Sequence, residues 1–121
     1  MGFRILVVDD SSLVRNFHSN ILQSAGFEAD TAIDGMDALE KAMQRNYSLI
    51  VTDINMPRMD GITFIEELRK LKNEVPVIVL TTQSEPENRK KALQAGANLY
   101  IVKPVKPEQL ILNIKMLLGI V

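Results

Sequence analysis

The stretch SLIVTDINMPRMDG, residues 48–61, decides how this chain is read. Leu49, Ile50 and Val51 form an unbroken apolar run, the pattern of a strand covered on both faces. The strand, residues 48–53, ends in Asp53, which puts a carboxylate where the strand meets its loop. Pro57 and Gly61 interrupt regular structure before a helical pattern opens at Ile62. Asp60 stands as the cap of that helix, and Ile62, Ile65, Leu68 and Leu71 mark its apolar side. In open α/β sheets ligands bind outside the carboxyl ends of the strands, so Asp53 lies where chemistry is expected.

Towards the N-terminus, residues 3–8 (FRILVV) read as a first buried strand that runs into Asp9 and Asp10. Ser11 and Ser12 offer capping oxygens, and Leu13, Phe17, Ile21 and Ala25 recur every four residues. That recurrence predicts a core-facing helical stripe, closed by Gly26. Residues 28–32 form a short, weakly apolar strand expected near a sheet edge. Asp34 and Gly35 make the next turn, and Ala38, Leu39, Ala42 and Met43 predict a second helical face. Met36, Met43 and Met116 are expected to fill gaps in the core.

Towards the C-terminus, residues 75–80 (VPVIVL) form a fourth strand, with Pro76 near its start, where one lost donor is tolerated. Thr81, Thr82, Gln83 and Ser84 follow as a loop. A helix is predicted over 86–95, stopped by Gly96, and a fifth strand over 98–102. After Lys103 and Pro104, Pro107 opens a last helix with Leu110, Ile111, Ile114, Leu117 and Leu118 on one side. Five strands alternating with five helices through short loops predict a doubly wound α/β fold, a parallel sheet covered on both faces.

The 121 residues suit a single domain, 1–121, with no output domain expected beyond it. A chain of this length buries roughly two-thirds of its unfolded surface and needs no metal or disulfide to hold together. Without cysteine there is no disulfide framework, thiol nucleophile or thiolate zinc site. Fourteen basic and fifteen acidic residues leave a net charge of -1, no electrostatic footprint for nucleic acid. No apolar run approaches the ~20 residues that span a membrane. Met1, Gly2, Phe3 and Arg4 lead straight into a strand, so no leader is expected. The expectation is a cytoplasmic domain that engages neither nucleic acid nor membrane directly.

A doubly wound sheet gathers the carboxyl ends of its strands on one edge. That edge collects Asp9 and Asp10 from the first strand, Asp53 from the third, Thr81 from the fourth and Lys103 from the fifth. Crowded carboxylates repel, so they hold a proton or bind a cation. Hard oxygen donors without His or Cys favour Mg²⁺, which is content with one or two carboxylates, waters and a phosphate. An aspartate is ionised at neutral pH and is a nucleophile without an activating base. Lys103, a hydroxyl and a metal would stabilise charge on a transferring phosphoryl group.

Asp9 and Asp10, Asp53 followed by Met56, Pro57, Asp60 and Gly61, then Thr81, and Lys103 with Pro104, together resemble the receiver domain of two-component response regulators. The resemblance covers residues 3–118. It implies a flavodoxin-like sheet in the order 2-1-3-4-5, the order of a chemotaxis regulator of this fold. It makes Asp53 the phosphoacceptor, supplied by a histidine kinase, a histidine phosphotransfer protein or a small phosphodonor. Mg²⁺ would be held by the side chains of Asp10 and Asp53, the backbone carbonyl of Asn55 and, mostly through water, Asp9. Lys103 would pair with the phosphoryl oxygens, and the bond from Lys103 to Pro104 would be cis. Thr81 would move to bond the phosphoryl group, and Tyr100 would turn inward with it. The face made by the fourth helix, fifth strand and fifth helix would then read out to an output protein, with the chain a monomer or a phosphorylation-driven homodimer. Such a domain is a switch, not an enzyme beyond its own phosphorylation and autodephosphorylation. Tyr100 and Lys106 lean towards the chemotaxis type. Thr82, where the family often has Ala or Ser, would narrow access to the acyl phosphate, and Asn55 and Gln83 would tune its lifetime.

Taken singly these residues have plainer readings: Asp53 as a turn cap, Thr81 as a turn residue, Lys103 as a solvated charge, Tyr100 as packing. Their joint register at the strand ends is what sets the plainer readings aside. His18, on the first helix and two turns from other candidate ligands, reads as a surface or boundary residue. Arg89, Lys90 and Lys91 read as a solvated face lying on the expected output surface. A small aspartyl-nucleophile phosphatase would need a second Asp where Asn55 stands, and a longer core. A nucleotide-binding or flavodoxin-type module would need glycines where Asp9, Asp10, Ser11 and Ser12 stand. A receiver-like binding module that works without phosphorylation would not need the complete acidic set.

Overall fold

The computed structural model describes residues 2–120; Met1 and Val121, the ends of the single-domain span above, lie outside the described residues. Strands and helices alternate as β1 (Arg4–Val8), α1 (Ser12–Ser24), β2 (Glu28–Ala32), α2 (Gly35–Gln44) and β3 (Leu49–Thr52), then α3 (Gly61–Lys70), β4 (Val77–Thr81), α4 (Pro86–Ala95), β5 (Leu99–Val102) and α5 (Pro107–Leu118). All strand pairs are parallel, in the order β2-β1-β3-β4-β5, which is the flavodoxin-like doubly wound arrangement.

The two-residue period of the strands sorts their side chains into two layers. Leu6, Val8, Ile50 and Val79 join Ala38, Ala42, Phe64, Ile65, Leu68 and Ala92 from α2, α3 and α4. Ile5, Val7, Leu49, Val51, Ile78 and Leu80 join Leu22 of α1 and Leu110 and Ile114 of α5. Side-chain oxygens start three helices: Ser11 accepts from the Val14 N–H, Asp34 from Asp37 and Asp60 from Thr63. Pro86 and Pro107 start the other two. The edge strand β2 is blunted by charge, with Arg4 paired to Glu28 and Asp30. Among the described residues no helix is long and apolar enough to cross a membrane.

Helix α1 departs from the expected phase. Leu13 and Phe17 are 79% and 56% exposed, and Ile21 and Ala25 are half-buried. Four residues turn an α-helix by about 400°, so a four-residue repeat drifts about 40° per step and winds off the inner face. The residues that face inward are His18, Ser19 and Leu22. His18, expected at the surface or boundary, is only 6% exposed. Met36, Met43 and Met116 are exposed too and fill no core gap. Helix α2 lies on the sheet through the small side chains of Ala38 and Ala42, which leaves Met36 and Met43 outside, and α5 lies on it through Leu110 and Ile114, which leaves Met116 outside. Leu71 is the exposed C-cap of α3, while Phe64, one turn into that helix, is fully buried.

Candidate functional site

The site is assembled by backbone pairing. Asp9 and Asp53 each sit one residue past a strand, and their N–H groups still pair with the neighbouring strand, Asp9 to Ala32 O at 3.2 Å and Asp53 to Val8 O at 3.1 Å. Parallel register therefore sets the two carboxylates side by side at one sheet edge. Lys103 reaches the same edge from β5, with its N–H donating to Thr81 O at 2.7 Å. Its ammonium lies 3.5 Å from Asp9 Oδ2 and 3.7 Å from Asp53 Oδ2. The three side chains are largely screened from solvent, so the cation balances two acids that would otherwise repel. The peptide bond between Lys103 and Pro104 is cis.

Each acid has a fixed role for one of its oxygens. Asp9 Oδ1 accepts from Ser11 N at 3.0 Å, and Arg15 donates to the Asp9 carbonyl at 2.8 Å. Asp53 Oδ1 accepts from Ile54 N at 2.6 Å, leaving Oδ2 towards Lys103. Asp10 and Asn55 are exposed at the mouth of this edge. Among the described residues no group of three or more His, Cys, Asp or Glu side chains stands gathered as a metal cage. The donors present are hard oxygens with a lysine between them, a set suited to a cation that keeps its waters.

Thr81 and Tyr100 are both buried and meet through Gln83. The Gln83 N–H donates to Thr81 Oγ1 at 3.2 Å, and the Tyr100 hydroxyl donates to Gln83 O at 2.7 Å. Asn88 of α4 donates to Gln83 Oε1 at 3.2 Å, so the amide side chain of Gln83 is tied to α4. Burial first, then the charges of Glu85 and Asp53, raise the Tyr100 phenol above its ordinary pKa, and it serves as a donor. Thr82 is exposed.

His18 is the residue that sequence reasoning missed. It packs with Asp9, Thr52 and Asp53 around a crevice beneath the site that is too narrow to hold a water molecule. Its spacing to the buried Leu22, one turn on, was the signal available in the sequence. Burial is the main cause that lowers the His18 pKa, the Lys103 charge adds to it, and Asp9 and Asp53 oppose it. Folding thus favours the neutral ring. As pH falls below about 6.5 the unfolded chain binds a proton that the folded chain resists, so stability is fullest above that pH and declines on acidification. In Mg²⁺-free buffer the loss of melting temperature between about pH 7.5 and 5.5 should be smaller in His18→Leu than in the wild type. Equal losses would mean that His18 ionises as readily folded as unfolded.

A family model described as the response regulator receiver domain matches residues 5–115. Transcriptional regulatory protein PrrA of Mycobacterium leprae is 44% identical over 115 residues, 95% of this chain and 49% of its own length. SrrA of Staphylococcus aureus, also named a transcriptional regulatory protein, is 40% identical over 118 residues, 98% of this chain and 48% of its own length. The chain thus spans about half the length of the curated relatives it matches. Among solved structures, chemotaxis protein CheY4 of Vibrio cholerae superposes with a TM-score of 0.91 at 36% identity, covering 97% of this chain and 99% of that one. Response regulator TrrA of Thermotoga maritima, solved in complex with Mg²⁺–BeF, does so at 0.87 and 36%, covering 95% and 98%. Sheet order, the lysine between two strand-end aspartates and a match across nearly the whole length agree: this chain belongs to the response regulator receiver domains, the signalling switches of two-component systems.

Proposed function

We propose that Asp53 is the phosphoacceptor of this receiver and that its phosphorylation is read out through α4, β5 and α5. The observation that carries the reading is the Lys103 ammonium within 4 Å of both Asp9 and Asp53. An oxygen of the Asp53 carboxylate attacks phosphorus in line with the leaving nitrogen of a phosphohistidine or phosphoramidate. The new P–O bond forms as the P–N bond breaks, the departing nitrogen takes a proton, and Asp53 becomes an acyl phosphate. Lys103 is placed to follow the charge from the carboxylate to the phosphoryl oxygens. Asp10, Asp53 and the Asn55 carbonyl, with Asp9 through water, would hold Mg²⁺, which when bound neutralises phosphoryl charge. Thr81 would release the Gln83 N–H to bond the new phosphoryl group, and Gln83 would pass that change to Tyr100 and α4.

The donor is a sensor histidine kinase or histidine phosphotransfer protein. Leu13 and Phe17, exposed on the helix that follows Asp9 and Asp10, offer such a protein an apolar foothold beside the acceptor. On the output side Leu93, Val102 and Met116 are exposed on α4, β5 and α5, where an output protein or a second copy would dock. Arg89 and Lys90 stand exposed beside Leu93 on α4, whereas Lys91 lies on the side of that helix towards α3.

Intact mass after incubation with phosphoramidate, with and without Mg²⁺, tests the reading. One added phosphoryl group that requires Mg²⁺ is the expected result. Absence of both the adduct and beryllofluoride binding would favour a binding module that works without phosphorylation. Lys103→Ala should keep Mg²⁺ binding largely intact while disconnecting the switch. Beryllofluoride should then no longer shift the Tyr100 and α4 amide resonances that it shifts in the wild type. Wild-type shifts in that variant would remove Lys103 from the coupling.

A further inference from the structure

The loop that leaves β3 with Asp53 is held at two places. At its near end the Gly61 N–H returns to Ile54 O at 2.8 Å. At its far end Arg58 grips Asp34 with two nitrogens, Nε to Oδ2 at 2.7 Å and Nη2 to Oδ1 at 3.1 Å. The Gly35 N–H adds a backbone bond to Met59 O at 2.9 Å. Between these anchors lie Asn55, Met56 and Pro57.

We propose that the Asp34–Arg58 pair is a clamp that positions this loop, and with it the Asn55 carbonyl, for Mg²⁺. The inference rests on the site reading above. Asp34 already has a local task, since Oδ1 caps α2 through the Asp37 N–H at 2.9 Å. Capping needs only an oxygen, which Asn or Ser would supply equally well. A charge on a side chain 3% exposed needs a partner, and the partner comes from 24 residues away on the other loop. Arg58 lies at φ 65°, a left-handed conformation that non-glycine residues adopt only when their surroundings hold them there. The fork geometry fixes both the distance and the orientation between α2 and the loop, which a point charge would not do. Gly35 belongs to the same joint, because a Cβ there would meet Met59 O at 2.4 Å.

The test is the Mg²⁺ dissociation constant of the Asp34→Asn/Arg58→Gly variant, followed by amide resonances. Asn keeps the cap without leaving a buried charge unpaired, and Gly suits the backbone at 58. Outer partners of metal ligands typically carry tenfold or more in affinity, so weakening of roughly tenfold is expected. Phosphorylation by phosphoramidate should slow by a similar factor at limiting Mg²⁺ and recover at saturating Mg²⁺. Arg58→Lys, which keeps charge but not the fork, should fall between the variant and the wild type. Mg²⁺ affinity within about twofold of wild type, even with a lowered melting temperature, would reduce the pair to a structural tie and overturn the clamp. Should the double variant fail to fold, Arg58→Lys decides by the same criterion. A wild type that takes up neither Mg²⁺ nor phosphoryl would instead sink the site reading itself.

Discussion

Asp53→Asn should leave the protein folded and unable to carry a phosphoryl group. The substitution is isosteric, and the amide oxygen can still accept from the Ile54 N–H that Asp53 Oδ1 now receives at 2.6 Å. Strand pairing through the Asp53 N–H is untouched, because it is a backbone bond to Val8. What disappears is the charge that makes the oxygen nucleophilic and draws Lys103 to 3.7 Å. Lys103 keeps Asp9 Oδ2 at 3.5 Å as its partner, so no screened charge is left unpaired and the stability change is small. Acid-labile label from phosphoramidate should therefore fall below detection, while the melting temperature stays within a few degrees of wild type. Undiminished labelling of the variant would move the acceptor to another side chain. The loss should also abolish the Mg²⁺-dependent binding of beryllofluoride, which needs a carboxylate oxygen on Asp53.

The parallel sheet was legible because buried strands announce themselves as apolar runs, and β1, β3 and β4 are covered on both faces; the strand order came only with the receiver resemblance. The helices were legible as elements but not in phase. In α1 the apolar residues at 13 and 17 lie outside, while a histidine and a serine lie inside. Residue type alone argues the other way, and only the angular arithmetic of the helix, with Leu22 as reference, corrects it. The strand-end residues could be named in advance because the fold class dictates where strand ends go. Their mutual distances could not, since those depend on side-chain reach across β1, β3 and β5. The Asp34–Arg58 joint was hidden for a similar reason. Asp34 reads locally as a turn residue and Arg58 carries no signal of its own, and their meeting depends on how two loops lie against each other. Gly61 was legible as a breaker of regular structure, but its reason is a close approach invisible in the sequence.

Gly61→Ala should be a severe one-methyl change. A Cβ at this position would lie 2.0 Å from the Asp53 carbonyl oxygen, 3.0 Å from its carbon and 3.1 Å from Ile54 Cα. All three are backbone atoms at the end of a central strand, so no side chain can turn aside. The Asp53 N–H is pinned to Val8 and the Ile54 carbonyl accepts from Gly61 itself. Relief must come from lifting the start of α3, which breaks the Gly61 bond and shifts the Asp60 cap from Thr63. Overpacking costs about 1–3 kcal/mol and a lost cap about 1 kcal/mol, giving a loss of roughly 3 kcal/mol. For a domain of this size that is about 10 °C in melting temperature. Gly26→Ala is the control: nothing lies within 4 Å of its Cβ, and only its φ of 93° opposes the change. Its loss should stay near 1 kcal/mol, the backbone term alone. Because the displaced atoms belong to Asp53, the folded fraction of Gly61→Ala should also phosphorylate more slowly per molecule, whereas Gly26→Ala should not. Urea denaturation of the two variants, read beside their labelling rates, separates sterics from strain. A loss below about 1 kcal/mol in Gly61→Ala would show that α3 has slack against β3, and that the seat of Asp53 does not depend on this contact.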